Sequence, residues 1–185
     1  MFLLNSLKRF FYKKNLIGIK LVVLDVDGVL TNGKISICSE GIERKEYNVK
    51  DGLGIKLLLA SGIQVSILSG GEAGSALLRA NKLGIKNCIF NVKDKLKAIK
   101  SLQKKLKISK NETLFLGDDI NDQIVRPSVN LLIATRDASN SLKQKSNFIL
   151  KEKGGNGAVR ELTEEILKSK KLWKNYKKNG WVDIN

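Results

Sequence analysis

The stretch KLVVLDVDGVLT, residues 20–31, sets the tightest limit on how this chain folds. Leu21, Val22, Val23, Leu24 and Val26 show no alternation of apolar and polar positions, so the segment reads as a central strand covered on both faces of a sheet. It ends on two carboxylates one residue apart, Asp25 and Asp27, followed by a glycine. Ligands bind at such carboxyl ends in open α/β sheets. Strand-like runs recur at 63–69, 87–90, 113–117 and 130–134, with helix-period segments between most of them. GIKLLLASG stops at Gly62, SALLRANKLG stops at Gly84, and DKLKAIKSLQKKLK sets Leu96, Ile99, Leu102 and Leu106 on one face. The expected fold is α/β, a doubly wound parallel sheet.

One stretch interrupts this pattern. Residues 33–49, GKISICSEGIERKEYNV, hold two short alternating runs around SEG and read as a small β-hairpin inserted between the first strand and the first long helix. No insertion is large enough for a cap domain. Pro127, the single proline, marks a helix end. Near the amino terminus, Leu3, Leu4, Leu7, Phe10 and Phe11 share a helical face flanked by Lys8, Arg9, Lys13 and Lys14. That face is expected to pack on its own domain or a neighbouring subunit, with a membrane surface as the alternative. The expected division is a basic extension at 1–18, one α/β domain at 19–167 containing the hairpin, and a basic tail at 168–185.

Composition removes several kinds of chemistry. The chain has no histidine, which excludes a Ser-His-Asp triad, a histidine phosphoryl carrier and a histidine-ligated zinc or iron site. Two cysteines, Cys38 and Cys88, suggest no disulfide framework and fit a reducing compartment. There is neither a signal-peptide core nor an apolar run of membrane-spanning length, so a cytoplasmic location is expected. The net charge of +16 is concentrated in three segments: 1–18, 93–110 and 168–185 account for all of it. Such patches attract nucleic acid, an acidic membrane or a multiply anionic small substrate, and they also arise as solvated lysine-rich helix faces.

Polar features fall at or just beyond the ends of successive strands: Asp25 with Asp27, then Ser69, then Lys95, then GDDIND with Asp118, Asp119 and Asp122. In a parallel sheet those ends converge on one crevice. Clustered carboxylates repel unless a cation holds them, and oxygen-only ligands point to Mg²⁺. A hydroxyl and a lysine facing the same spot supply donors and positive charge for phosphate oxygens.

These segments resemble the motifs of the haloacid dehalogenase superfamily of phosphotransferases. DVDGVLT matches its first motif, D-x-D-G-x-[LVT]-[TL], LSG its second, Lys95 its third and GDDIND its acidic fourth. The resemblance implies that Asp25 attacks phosphorus to form an aspartyl-phosphate, while Asp27 protonates the leaving oxygen and later activates water. It implies Mg²⁺ held by Asp25, the main-chain carbonyl of Asp27 and Asp118, with Asp119 and Asp122 behind them. Ser69, Gly70 and Lys95 would hold the phosphoryl group. DVDGVLTNG, NVKDGLGIKLL, GDDIND and GGNGAVREL together are similar to the family of 3-deoxy-D-manno-octulosonate 8-phosphate phosphatases and relatives acting on nine-carbon sialic-acid-type phosphates. That likeness implies a sugar-acid phosphate substrate, a role in lipopolysaccharide biosynthesis, and a homotetramer in which each hairpin helps to close a neighbour's site. No nucleic-acid partner and no membrane span are expected.

The family often has an arginine directly after its second motif, where LSGGEAG here has Gly71. Arg79 is expected to compensate as an anion contact, and Arg160 to lie near the site. Lys93 and Lys97 are expected at the mouth beside Lys95. Cys38 and Arg44 have the C-x5-R spacing of a cysteine-dependent phosphatase loop, but Glu40 and Glu43 within it oppose a bound phosphate. GGNGAVR, 154–160, matches no phosphate-loop fingerprint and reads as a loop feeding the last helix. A non-catalytic nucleic-acid-binding or scaffold protein on this fold would use Trp173, Tyr176 and Trp181 among the tail lysines as a stacking surface. The full set of Asp25, Asp27, Ser69, Lys95 and Asp118 favours the enzyme.

Overall fold

A computed structural model describes residues 2–182. Leu21–Leu24 forms β1, and all four of its residues are fully buried. Parallel partners flank it on both sides, β4 (Gln64–Leu68) and β6 (Thr113–Gly117). The sheet extends through β5 (Asn87–Ile89) beyond β4, and through β7 (Leu131–Ala134) and β8 (Phe148–Ile149) beyond β6, all parallel. Successive strand residues point to opposite faces, and both faces are covered. Val22 and Leu24 join a core with Ile55 and Leu58 of α2 (Val49–Ala60), Ala80 of α3 (Gly74–Leu83) and Ile166 of α6 (Ala158–Ser169). Leu21 and Val23 join a second core with Ile99 and Leu102 of α4 (Lys95–Leu106) and Leu142 of α5 (Asn140–Lys145).

The doubly wound sheet matches the sequence expectation. The chain winds from β1 toward β4 and β5, then returns to build β6 to β8 on the other side, so strand order reverses at β1 and opens a crevice there. Local signals set the helix ends. Asn48 caps α2 through Lys50 N–H, Asp94 caps α4 through Lys97 N–H, and Gly84 closes α3 in the left-handed conformation.

Several details differ from the expectation. The hairpin pairs only two residues a side, β2 (Ser36–Ile37) with β3 (Glu43–Arg44). Pro127 does mark a helix end, one residue before the close of a 3-10 stretch, Ile120–Ser128. On α1 (Phe2–Leu16), Leu7, Phe10 and Phe11 are exposed, whereas Leu16 is buried in the core and Tyr12 packs against it. Leu7, Phe10 and Phe11 therefore do not pack on their own domain, which leaves a neighbouring subunit or a membrane surface for that face; the side chains of Leu3, Leu4, Lys8 and Arg9 lie outside those described. Trp173 and Tyr176 of α7 (Trp173–Asn179), and Trp181 beyond it, pack against the domain core instead of standing out as a stacking surface. Among the described residues no helix is long and apolar enough to cross a membrane.

Candidate active site

Beyond β1 the chain stays tied to β6 for one more residue, with Asp25 N–H donating to Leu116 O at 3.1 Å. It then curls into a tight turn in which Val26 O accepts from the N–H groups of Leu30 and Thr31. Gly28 sits in that turn at φ 74°, and a side chain there would overlap the Asp118 carboxylate. The glycine of DVDG thus lets the acidic loops after β1 and β6 touch.

Lys95, the first residue of α4, reaches into the same space and is buried. Its Nζ lies 2.5 Å from Asp25 Oδ2 and 2.6 Å from Asp122 Oδ1. The other oxygen of Asp122 accepts from the main-chain N–H of Asp118 at 2.9 Å and of Asp119 at 3.4 Å. Asp119 is exposed, and its side chain accepts from Ile120 N–H to start the 3-10 stretch. Burial, then the charge of Asp122, pushes the Asp25 carboxyl up to about 6. Burial, then the charges of Asp122, Asp25 and Asp119, pushes Asp118 up to about 7. Burial works against the Lys95 ammonium, but Asp25 and Asp122 outweigh it and hold the group above its ordinary range.

These residues suit a divalent cation. Asp25, Asp118 and Asp122 each offer a carboxylate oxygen, and the three oxygens lie within 4.8 Å of one another. Three carboxylates against the single ammonium of Lys95 leave two negative charges, and an all-oxygen donor set fits Mg²⁺. Asp122 lies within this cluster, but both of its oxygens are already engaged, Oδ1 by Lys95 and Oδ2 by the Asp118 and Asp119 amides.

The rest of the crevice is built from β4 and the hairpin. Ser69 follows β4, is buried, and accepts from Gly71 N–H at 3.1 Å; exposed Gly70 lies between them. Asp27 is bound by a residue the sequence reading did not single out: Lys45, just past β3, places Nζ 2.8 Å from Asp27 Oδ2. Nothing in the sequence distinguishes Lys45 among the 34 lysines and arginines.

Other candidates lie elsewhere. Arg79 rests its guanidinium against Gly52 of α2. Arg160 turns its guanidinium to Glu164 at 3.1 Å and over Trp173 at 5.3 Å. Among the described residues neither guanidinium contacts the carboxylate cluster. Lys93 is exposed, and Lys97 points to solvent beside Asp94. Cys38 N–H and Gly41 N–H bond within the hairpin turn, and Arg44 pairs with Ser36 across it, so no phosphate loop forms there. The GGNG loop packs under the turn that follows β1. Gly155 N–H donates to Val29 O at 2.9 Å, and a side chain at Gly154 would overlap Gly28 O. Buried Asp51 of α2 accepts from Gly157 N–H and Arg160 N–H, which clasps the start of α6.

Comparison with known proteins identifies the family. The model of the haloacid dehalogenase-like hydrolase family matches residues 81–162. A 3-deoxy-D-manno-octulosonate 8-phosphate phosphatase from Yersinia pestis is 40% identical over 150 residues, covering 81% of this chain and 80% of the relative. The crystal structure of such a phosphatase from Moraxella catarrhalis, in complex with magnesium ion, phosphate ion and a KDO molecule, superposes with a TM-score of 0.89 at 35% identity. It covers 92% of this chain and 98% of that one. A cobalt-bound phosphatase of this kind from Haemophilus influenzae superposes at 0.82 with 35% identity, over 85% and 92% of the two chains. The chain therefore belongs to the haloacid dehalogenase-like hydrolases, in the family of the 3-deoxy-D-manno-octulosonate 8-phosphate phosphatases.

Proposed function

We propose that the protein is a Mg²⁺-dependent phosphatase that hydrolyses 3-deoxy-D-manno-octulosonate 8-phosphate to the free sugar acid and phosphate. One observation carries the reading: at the end of β1, Asp25 is buried against Lys95 with Asp118 close enough to share a cation. The ligands named for the Moraxella relative support the choice of metal and sugar.

In this mechanism Asp25, Asp118 and the carbonyl of Asp27 hold Mg²⁺, which when bound supplies positive charge against the phosphate and carboxylates. Asp122, engaged by Lys95 and by the Asp118 and Asp119 amides, keeps those groups in place. Ser69, the Gly70 amide and Lys95 hold the phosphoryl oxygens. An Asp25 oxygen attacks phosphorus, and as the ester P–O bond breaks the Asp27 carboxyl gives its proton to the leaving sugar oxygen. Asp27, now a carboxylate, takes a proton from water. The hydroxide attacks phosphorus, phosphate departs and Asp25 is regenerated.

The reading extends to a homotetramer in which hairpins cover one another. Ile35, Ile37 and Ile42 are 48%, 66% and 57% exposed on the hairpin, apolar surface that a neighbouring hairpin would bury. A cytoplasmic location fits the free cysteines Cys38 and Cys88.

The test is phosphate release from 3-deoxy-D-manno-octulosonate 8-phosphate, a nine-carbon sialic-acid-type 9-phosphate and glucose 6-phosphate, each with Mg²⁺ and with EDTA. The first ester should be preferred and EDTA should stop turnover. Preference for the nine-carbon ester would reassign the substrate, and no release from any would refute the reading.

A further inference from the structure

Lys45 directly follows β3, in a hairpin whose paired residues are all exposed, yet its own side chain is only 9% exposed. An ammonium withdrawn from water needs a partner, and here the partner is Asp27. Lys45 Nζ donates to Asp27 Oδ2 at 2.8 Å, whereas among the described residues Asp27 Oδ1 has only the Thr31 hydroxyl, at 3.5 Å. The two carboxylate oxygens are therefore unequal: one is held tightly from the hairpin, the other weakly from its own loop. Gly71 completes the arrangement. A methyl group built on it would stand 3.4 Å from Asp27 Oδ2, 3.6 Å from Ser69 Oγ and 3.9 Å from Lys45 Nζ. A longer side chain at 71 would enter the space beside this pair.

Resting on the assignment of Asp27 as the acid that protonates the leaving oxygen, we propose that Lys45 is a positioning residue for that acid. The hairpin delivers a donor that pins Oδ2, which leaves the loosely held Oδ1 as the oxygen that carries the proton and exchanges Thr31 for the leaving oxygen. Lys45 keeps its own protons throughout. The proton passes from Asp27 Oδ1 to the bridging oxygen in the step that forms the Asp25–phosphorus bond. The hairpin thereby serves proton delivery as well as enclosure, and a displaced hairpin misdirects the acid.

This role has a signature that general structural damage lacks. A sugar alkoxide is a poor leaving group and needs the proton, whereas nitrophenolate departs without it. Lys45→Met and Lys45→Arg are to be compared with the unaltered enzyme by kcat/KM, which reports the phosphoryl-transfer step. The substrates are 3-deoxy-D-manno-octulosonate 8-phosphate and p-nitrophenyl phosphate, both with Mg²⁺. Lys45→Met should lose roughly 10²-fold on the sugar ester and less than about threefold on the aryl ester, with Lys45→Arg restoring most of the difference. Equal losses on both esters would mean that Lys45 serves the phosphoryl group or the hairpin fold, and no loss on either would make the ion pair idle; both results overturn the proposal. If Asp27→Asn kept full activity on the sugar ester, the assignment of Asp27 itself would fall instead.

Discussion

The ammonium of Lys95 lies 2.5 Å from the carboxylate of Asp25, joining the first turn of α4 to the end of β1 where both groups are shielded from water. In the proposed mechanism, a cation fixed there offsets the negative charge of the attacking carboxylate and of the phosphate it approaches. Replacement by methionine keeps the stem and deletes the charge. Lys95→Met should therefore lose roughly 10²-fold or more in kcat/KM on the sugar phosphate, measured by initial rates with saturating Mg²⁺.

Asp122 is fully buried and serves three donors: Lys95 and the amides of Asp118 and Asp119. Asp122→Ala leaves those amides without this acceptor and removes one of the two carboxylates around Lys95. A loss of about 3 kcal/mol in unfolding free energy is expected by urea titration, with Asn at the same position recovering part of it. An alanine variant as stable as the parent would show that the network is unimportant for folding.

Much of this site was legible from residues that sit next to strand ends. Asp25, Asp27, Ser69 and Asp118 lie within three residues of the ends of β1, β4 and β6, so parallel topology brings them together. Lys95 is equally plain, because it opens α4 in the crossover after β5. Lys45 was not legible: it lies 18 positions after Asp27, beyond the turn and in an irregular hairpin where no periodicity fixes the direction of a side chain. Arg160 was misleading for a similar reason, since Glu164 and a tail tryptophan decide where its guanidinium points. β8 is only two residues long, too short for a strand pattern to register.

Burial and the neighbouring carboxylates push the Asp25 and Asp118 carboxyls up to about 6 and about 7 in the fold, against an ordinary 3.8. Folded-state values above the unfolded ones mean that the native protein holds these protons more firmly. Their contribution to stability is fully present in acid, below the unfolded value, and is lost as pH rises through the folded values. Mg²⁺ competes with those protons, so the rise in melting temperature on adding Mg²⁺ to EDTA-treated protein should be small near about pH 5 and larger near about pH 8. Equal shifts at the two pH values would contradict a cation site on these carboxylates.

The GGNG loop supports the turn after β1, which carries Asp25 and Asp27, by close backbone contact. A methyl group at Gly154 would overlap Gly28 O, so Gly154→Ala must push the two loops apart. A fall in kcat of roughly tenfold and a loss of about 1–3 kcal/mol in stability are expected. Gly18→Ala is the control: an added methyl there meets only Asn15 O at 3.9 Å and should leave both unchanged.

The exposed isoleucines of the hairpin bear on assembly. Replacing Ile35 and Ile37 by lysine should yield smaller species by light scattering after size exclusion. It should also raise KM for the sugar phosphate more than for a small phosphate ester. A parent protein that is already monomeric at assay concentration would rule out closure by neighbouring hairpins.

The central claim is that Asp25 becomes phosphorylated. Turnover of 3-deoxy-D-manno-octulosonate 8-phosphate with Mg²⁺, quenched in acid and followed by peptide mass spectrometry, should place one phosphoryl group on the peptide containing Asp25. Asp25→Asn should show neither that adduct nor phosphate release. Full phosphate release by Asp25→Asn, or a phosphoryl group found on Cys38 instead, would contradict the account.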